Sequence, residues 1–190
     1  MKTIKSLCIA EYEKDGSKFI AHLAPAKDAE SLLNNLRESH KKAVHFVRAS
    51  RSMNEFRQII ESSSDDGEPK GSSGVPTLNV LRGRDLVDCA CIVVRYFGGK
   101  LLGVGGLVRA YSNATLLAVE NAESCGAIID FVYLKTHTIS LPFNAINHAK
   151  YLATKMGARI LNIDFKADCA EITIECEGKI FDEFVKKLNL

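Results

Sequence analysis

The chain has 190 residues and a formal net charge of +2, with 46% hydrophobic and 25% charged residues. This is the composition of a soluble globular protein of one or two domains. The net charge is too small to indicate a nucleic-acid binder, so any basic surface must arise from how the cations are arranged. No apolar run is long enough for a secretory signal or a membrane span, which predicts a cytoplasmic protein without membrane contact.

The N-terminal part of the chain predicts strands that flank one helix. Residues 4–12 and 19–23 are predicted strands joined by the turn KDGS. Apolar residues at helical spacing over 29–36 predict an amphipathic helix. Another strand is predicted over 43–49, whereas 52–63 is predicted to be irregular or weakly helical.

The middle of the chain predicts a helix, a buried strand and a long helix. Pro76 suits the start of the helix in "VPTLNVLRG", and Gly83 suits its end. Five consecutive apolar residues, 90–94, predict a strand buried on both faces. The apolar residues over 107–122 then recur at the spacing of a long helix.

The six cysteines give little indication of a metal site, because they form no CxxC pair. Cys89 and Cys91 lie two residues apart in the predicted apolar strand, so their side chains point to the same face. We interpret them as buried, reduced thiols. His40 and His45, near the end of a helix and the start of a strand, are interpreted as structural or solvent-exposed.

The last third of the chain changes character near Val132, where we place a domain boundary between residues 1–132 and 133–190. Strands are predicted at 135–141, 159–165 and 168–176, with a helix after the first and after the last. The order β-α-β-β-α is most of a ferredoxin-like unit, and we expect its usual last strand to be missing. The open edge of such a sheet would be one route to a homodimer.

Five glycines fall between Gly98 and Gly106, after the buried strand and before the long helix. Glycine permits positive φ and close backbone approach, and a helix N-terminus attracts anions. Arg95, Lys100 and Arg109 are placed to converge on one anion or on a phosphate backbone. The phosphate-loop motif GxxxxGK[ST] is absent, and the alternative is that these glycines only permit a tight turn and close helix packing.

The other unusual segment is "SDDGEPKGSSGVP", which carries three carboxylates. Asp65, Asp66 and Glu68 would suit a divalent cation, acid–base chemistry, or salt bridges that join this loop to Arg95 or Arg109. The DxDxDG spacing of a calcium loop is missing, so we predict no metal. We also predict no cofactor and assign no catalytic residue.

Together, "SDDGEPKGSSGVPTLNVL" and "VVRYFGGKLLGVGGLVRAYSNA" closely resemble the signature of the IMPACT/YigZ family, and the resemblance extends over about residues 15–120. It implies an α+β fold of two domains. The first would be a β-α-β domain like that of a small-subunit ribosomal protein and of the fourth domain of elongation factor G. The second would be ferredoxin-like, similar to that factor's fifth domain. These fold relatives touch RNA, and eukaryotic family members are linked to translational control through a ribosome-associated kinase-activation pathway.

We therefore expect the two segments to form the two sides of one surface site, in which Tyr96 and Tyr111 supply stacking faces and Phe97 belongs to the core. The predicted binding residues are Asp65, Asp66, Gly67, Glu68, Pro69, Gly71, Gly74, Arg95, Tyr96, Gly98, Gly99, Lys100, Gly103, Gly105, Gly106, Arg109 and Tyr111. Cations beside aromatic rings suit nucleic acid.

The leading functional hypothesis is a non-enzymatic module that binds RNA, the ribosome or a translation-associated protein and acts in translation regulation. One alternative is an enzyme or binding protein for a phosphate-bearing small molecule or nucleotide. A second alternative is a protein–protein regulator that uses the same patch.

Overall fold

The computed structural model of the chain describes residues 1–188. The contacts between residues divide the chain into two compact units, Met1–Phe131 and the residues from Val132 onward. Both units combine helices with antiparallel sheets, so the predicted α+β class is confirmed. No helix among the described residues is both long enough and apolar enough to cross a bilayer.

The first unit is built on a sheet whose strands run in the order β2-β3-β6-β4-β5, each antiparallel to its neighbours. A separate short pair joins β1 to β7. The strands are β1 (Lys2–Ile4), β2 (Cys8–Lys14), β3 (Ser17–Pro25), β4 (His45–Met53), β5 (Ile59–Ser64), β6 (Cys89–Tyr96) and β7 (Ile128–Asp130). The helices are α1 (Ala29–Ser39), α2 (Gly74–Gly83) and α3 (Gly103–Ser124).

Helices cover both faces of this sheet. On one face, inward side chains of the central strands pack with residues of α2 and α3 such as Leu81 and Tyr111. On the other face, Ile92 and Val94 pack beneath Leu33 of α1. The central strand β6 is therefore covered on both sides, as its five apolar residues predict, and none of residues 90–94 is more than 3% exposed. Cys89 and Cys91 are buried free thiols, in agreement with their interpretation, whereas Cys125 is exposed.

Two predictions for the N-terminal part were wrong. The segment predicted as irregular or weakly helical contains β5, which pairs with β4 in a hairpin whose tip lies at 54–58. This edge strand reads "IIESSS", and its serines hide the β-pattern. The single strand predicted over 4–12 is divided into β1 and β2, because β1 leaves the main sheet and pairs with β7.

The second unit contains β8 (Lys135–Leu141), α4 (Ile146–Met156), β9 (Arg159–Phe165), β10 (Ala170–Cys176) and α5 (Gly178–Leu188). The strand order is β8-β10-β9, so β10 lies between two strands that run parallel to each other. This is the split β-α-β arrangement of a ferredoxin-like unit. The described residues end with α5, so the expected lack of a last strand lies outside them. Ile172, Ile174 and Phe184 are fully buried at the centre of the core.

Candidate functional site

The acidic loop, residues 65–73, is organised by the carboxylate of Asp65. Its Oδ1 accepts hydrogen bonds from the Ser73 hydroxyl at 2.7 Å, the Gly74 N–H at 2.8 Å and the Ser73 N–H at 3.1 Å. Its Oδ2 accepts one from the Gly71 N–H at 2.8 Å. Burial alone would raise the pKa of Asp65, but these hydrogen bonds together lower it below its ordinary value. Asp65 therefore shapes the loop and its entry into α2.

The next carboxylate, Asp66, fastens the loop to the sheet and to α1. Its Oδ2 accepts the Phe46 N–H at 2.7 Å, and its Oδ1 accepts Nη2 of Arg37 at 3.2 Å. Its backbone carbonyl accepts a hydrogen bond from Nδ1 of His45 at 2.8 Å. Since a carbonyl can only accept, Nδ1 of His45 carries a proton.

Glu68 turns inward and is 8% exposed. Its Oε1 accepts hydrogen bonds from Nη1 of Arg95 at 2.5 Å and from the Tyr111 hydroxyl at 2.6 Å. Its Oε2 lies 3.8 Å from Nε2 of His45. The salt bridge between the two loops, one of the three alternatives for these carboxylates, is thus present as Glu68–Arg95.

Neither tyrosine of the predicted site offers a stacking face there, which corrects the sequence-based expectation. Tyr111 is fully buried, edge-on against Phe19 with ring centroids 5.1 Å apart. Burial raises the pKa of Tyr111, and its hydrogen bond to Glu68 raises it further. Tyr96 packs on the α1 face of the sheet, where its hydroxyl oxygen lies 2.7 Å from Nδ1 of His40. Alternation along β6 sends Tyr96 to the face opposite Arg95.

The glycine segment, residues 98–106, combines two kinds of glycine. At Gly98 an added Cβ would lie 1.9 Å from the Gly16 carbonyl carbon, and at Gly106 it would lie 2.9 Å from Leu102 Cβ. These two permit close packing, as the alternative interpretation held. Gly99 and Gly103 instead have positive φ angles of 84° and 67° and meet nothing within 4 Å. Their backbone is open to solvent.

The loop part of the glycine segment is shorter than the sequence predicted. Because α3 begins at Gly103, three of its five glycines belong to the first turn of the helix. No side chain caps this turn, and the turn contains no acidic residue. The first N–H groups of α3 thus have no acceptor supplied by a capping side chain.

The three cations of the glycine segment and its borders occupy different environments. Arg95 is 5% exposed and paired with Glu68, with its guanidinium over the Phe97 ring, 5.7 Å from the centroid. Lys100 and Arg109 are exposed, and neither forms an ion pair with any residue of the described chain. Nη1 of Arg109 lies 3.7 Å from the position that a Cβ of residue 105 would take. Its charge therefore lies beside the first turn of α3.

A cleft of about 400 Å³ separates the acidic loop from the glycine segment. The two segments therefore border one concave surface, and four of the predicted binding residues contribute to its lining. The lining residues are Val44, His45, Glu68, Pro69, Arg95, Phe97, Leu101, Leu102, Gly103, Val104 and Leu107. The other thirteen do not line the cleft: Asp65, Asp66, Gly67, Gly71, Gly74, Tyr96, Gly98, Gly99, Lys100, Gly105, Gly106, Arg109 and Tyr111.

Sequence reasoning missed the apolar side chains and the histidine of the cleft. Phe97, predicted to belong to the core, is 48% exposed, because it lies just beyond the end of β6. Leu101 is 91% exposed and Val104 58% exposed. The signal for His45 was its register, since it pairs with Arg95 across β4 and β6. That pairing is visible only once the strands are aligned.

A larger open groove of about 720 Å³ lies on the other face of the sheet, between α1 and the β4–β5 hairpin. Arg37, Arg48 and Ser50 contribute to its lining, but no residue of the glycine segment does. Among residues 1–188, no group of three or more His, Cys, Asp or Glu side chains is placed to hold a metal ion.

The family model for the Impact N-terminal domain matches residues 15–119, the part of the chain that holds the β4–β5 hairpin, the acidic loop and the glycine segment. The chain belongs to the IMPACT family. This confirms the resemblance proposed from the two motif segments.

Members of the IMPACT family are similar in sequence to this chain over much of its length. An "IMPACT family member" from Haemophilus influenzae is 38% identical over 123 residues, which cover 63% of this chain and 60% of that protein. The Escherichia coli "IMPACT family member YigZ" is 30% identical over 156 residues, covering 80% of this chain and 74% of that protein. A solved structure titled "Crystal structure of an hypothetical protein" superposes with a TM-score of 0.75 at 26% identity, over 98% of this chain and 90% of that chain.

Proposed function

We propose that this IMPACT family member is a non-enzymatic RNA-binding module that acts in translation. The contact surface would be the cleft together with Lys100 and Arg109, which do not line it and which we call its cationic rim. One observation carries the proposal: the exposed ring of Phe97 lies in the same short segment as Lys100 and Arg109, two exposed cations without ion-pair partners in the described chain. An aromatic face beside free cations suits single-stranded nucleic acid, because bases stack on the ring and phosphates pair with the charges.

The local charge supports this function better than the net charge does. Residues 95–109 contain three cations and no carboxylate. The buried ion pair with Glu68 neutralises the charge of Arg95, so the positive charge available to a ligand comes from Lys100 and Arg109. A cationic segment in a chain of net charge +2 favours contact with a small stretch of phosphate backbone over nonspecific binding along a long polyanion.

The role in translation is supported by the family resemblance, since eukaryotic members are linked to translational control. The match covers only 60% of the length of the Haemophilus influenzae relative, so activity and partners are proposed for this chain and not transferred to it.

The contacts of the acidic loop do not favour an enzyme over a binding module. Asp65 is engaged by backbone N–H groups, Asp66 by Phe46 and Arg37, and Glu68 by Arg95 and Tyr111. A general acid or base needs a proton-transfer position that faces the substrate. Asp65 and Asp66 instead hold the acidic loop in shape and against the sheet and α1, and Glu68 joins the two sides of the cleft.

The test is co-sedimentation of the full chain with purified ribosomes across a salt series, before and after nuclease treatment. The Lys100→Ala/Arg109→Ala double variant is compared with Lys2→Ala/Lys5→Ala, which removes two exposed cations at β1. We expect salt-sensitive binding that only the first variant loses and that nuclease abolishes.

Two results of this experiment would contradict the proposal. Binding that survives complete nuclease digestion would identify a protein partner in place of RNA. Equal binding by the two double variants would remove the cationic rim from the contact surface.

A further inference from the structure

The walls of the cleft are apolar and unusually exposed. Val44, Phe97, Leu101 and Val104 all line it, and their exposed fractions range from 48% to 91%. Exposed apolar side chains grouped around a concave surface, with a few polar groups among them, mark a ligand site. The walls therefore indicate a ligand with an apolar or aromatic part.

Phe97 has one ring face occupied and the rest of its ring accessible. The Arg95 guanidinium lies over the Phe97 ring, 5.7 Å from its centroid, and it also lies 5.5 Å from the centroid of the Phe19 ring. Since the phenyl side chain is still 48% exposed, it can stack with a planar group that enters the cleft.

Two polar groups in the lining have hydrogen-bonding capacity for a ligand. With Nδ1 bonded to the Asp66 carbonyl, Nε2 of His45 is the ring nitrogen left for a ligand. Nε of Arg95 is a buried donor with no hydrogen-bond partner among the described residues, on a side chain more than nine-tenths buried. Leaving such a donor unpaired is unfavourable, so an acceptor that reaches it would be bound favourably.

The first turn of α3 forms one end of the cleft and is open to an anion. Gly103 and Val104 line the cleft, and the next residue, Gly105, is exposed and carries no side chain. The turn has no capping side chain and no carboxylate, and the Arg109 guanidinium lies beside it. Uncapped N–H groups at the positive end of a 22-residue helix favour a phosphate.

We propose that the cleft is a subsite for one nucleotide: an unpaired base stacks on Phe97 and bonds His45 Nε2, while its phosphate lies at the first turn of α3. This inference rests on the proposed RNA-binding function and names the unit that is recognised. The ligand chemistry is a nucleoside monophosphate, supplied either by single-stranded RNA or by a free nucleotide.

The first test is a two-dimensional NMR titration of the full chain with adenosine 5′-monophosphate, adenosine and inorganic phosphate. We expect the monophosphate to shift the amides of residues 103–105 and the Nε–H signal of Arg95, and to bind about tenfold more tightly than adenosine. Shifts confined to other residues, or equal responses to monophosphate and adenosine, would overturn the inference.

Matched variants test the base contact and the phosphate contact of the proposed subsite separately. Phe97→Ala should weaken binding of the monophosphate about tenfold, whereas Phe143→Ala, which removes a ring of similar exposure from the second unit, should not. Gly105→Asp places a carboxylate at the first turn, and it should bind about tenfold more weakly than Gly105→Asn. Since Asp and Asn side chains have nearly the same size and shape, a difference between the two variants reports charge and not a steric change. Equal affinities within each pair would overturn the subsite.

Single-stranded oligoadenylate distinguishes the failure of this inference from the failure of the proposed function. RNA binding that is equal in Gly105→Asp and Gly105→Asn but lost in Lys100→Ala/Arg109→Ala would keep the RNA-binding function and overturn the subsite. Monophosphate bound in the cleft without any RNA binding would support the subsite, identify the ligand as a free nucleotide and overturn the RNA-binding function.

Discussion

Oε1 of Glu68 lies 2.5 Å from Nη1 of Arg95, and this buried ion pair joins the acidic loop to the end of β6. The Tyr111 hydroxyl donates to the same oxygen at 2.6 Å, so α3 is tied to the same point. One carboxylate therefore holds both sides of the cleft and the helix that forms its end. The conspicuous acidity of the loop serves, in large part, to build the site.

Removing the charge of Glu68 should destabilise the first unit. Glu68→Gln leaves the Arg95 guanidinium buried without a counter-charge, which we expect to lower the free energy of unfolding by about 3 kcal/mol. Tyr111→Phe removes only one hydrogen bond and should cost about 1 kcal/mol. Urea unfolding followed by circular dichroism measures both. If the two variants cost the same, the ion pair is not the main connection between the loops.

Gly98 should tolerate no side chain. Gly98→Ala places a methyl group inside the backbone of Gly16, so the two chain segments must separate, and we expect a loss of about 3 kcal/mol in unfolding free energy. Gly83→Ala is the matched control, because nothing lies within 4 Å of its added Cβ. The control should be neutral or slightly stabilising. A thermal-unfolding midpoint of Gly98→Ala equal to that of the control would refute the close packing seen here.

The Arg51–Glu61–Arg82 network, which holds the edge strand β5, gives a prediction about pH. Hydrogen bonds from Arg82 and then Arg51 lower the pKa of Glu61 to about 2. Because the pKa is lower in the folded chain, the stabilisation is present above the ordinary glutamate pKa and is lost as pH falls toward 2. With the side chain a quarter exposed, Glu61→Gln should cost about 1 kcal/mol at pH 7.

The same comparison repeated at several pH values checks this prediction. The difference in unfolding free energy between the parent chain and Glu61→Gln should shrink steadily below about pH 4.5. A difference that stays constant down to pH 2.5 would show that Glu61 titrates normally in the folded state.

Asp65 and Asp66 are adjacent, yet each should protect a different set of backbone amides. Asp65→Asn should speed hydrogen exchange at the amides of Gly71 and Gly74, which donate hydrogen bonds to the Asp65 carboxylate. It should leave the exchange rate of the Phe46 amide unchanged. Asp66→Asn should do the reverse and expose the Phe46 amide. Each variant is thus the control for the other. Identical exchange patterns would show that the two carboxylates act together as solvated charge.

Local sequence patterns predicted most of the elements, and they failed where long-range pairing decides the structure. The five apolar residues 90–94 predict the central strand because an uninterrupted apolar run is itself typical of a strand that is buried on both faces. The edge strand β5 was missed because pairing with β4 and the contacts of Glu61 hold "IIESSS" in place. Neither contact can be read from the segment alone.

The candidate site was predicted at the level of segments and not of side chains. The two motif segments do border one cleft, but a strand's alternation sends Tyr96 to one face and Arg95 to the other. Tyr111 follows the apolar stripe of α3 into the core. Sequence composition cannot distinguish a buried aromatic ring from an exposed one. Phe97, expected in the core, is exposed, and Tyr111, expected at the surface site, is buried.

The salt dependence of binding to a labelled single-stranded RNA tests the central claim most directly. Fluorescence anisotropy would give the affinity of the parent chain, Lys100→Ala/Arg109→Ala and Lys2→Ala/Lys5→Ala at several salt concentrations. Loss of two phosphate contacts should reduce the slope of log K against log[salt] by about 1.4 in the first variant only. A slope unchanged in that variant, or reduced equally in both, would contradict an RNA-binding surface at the cleft.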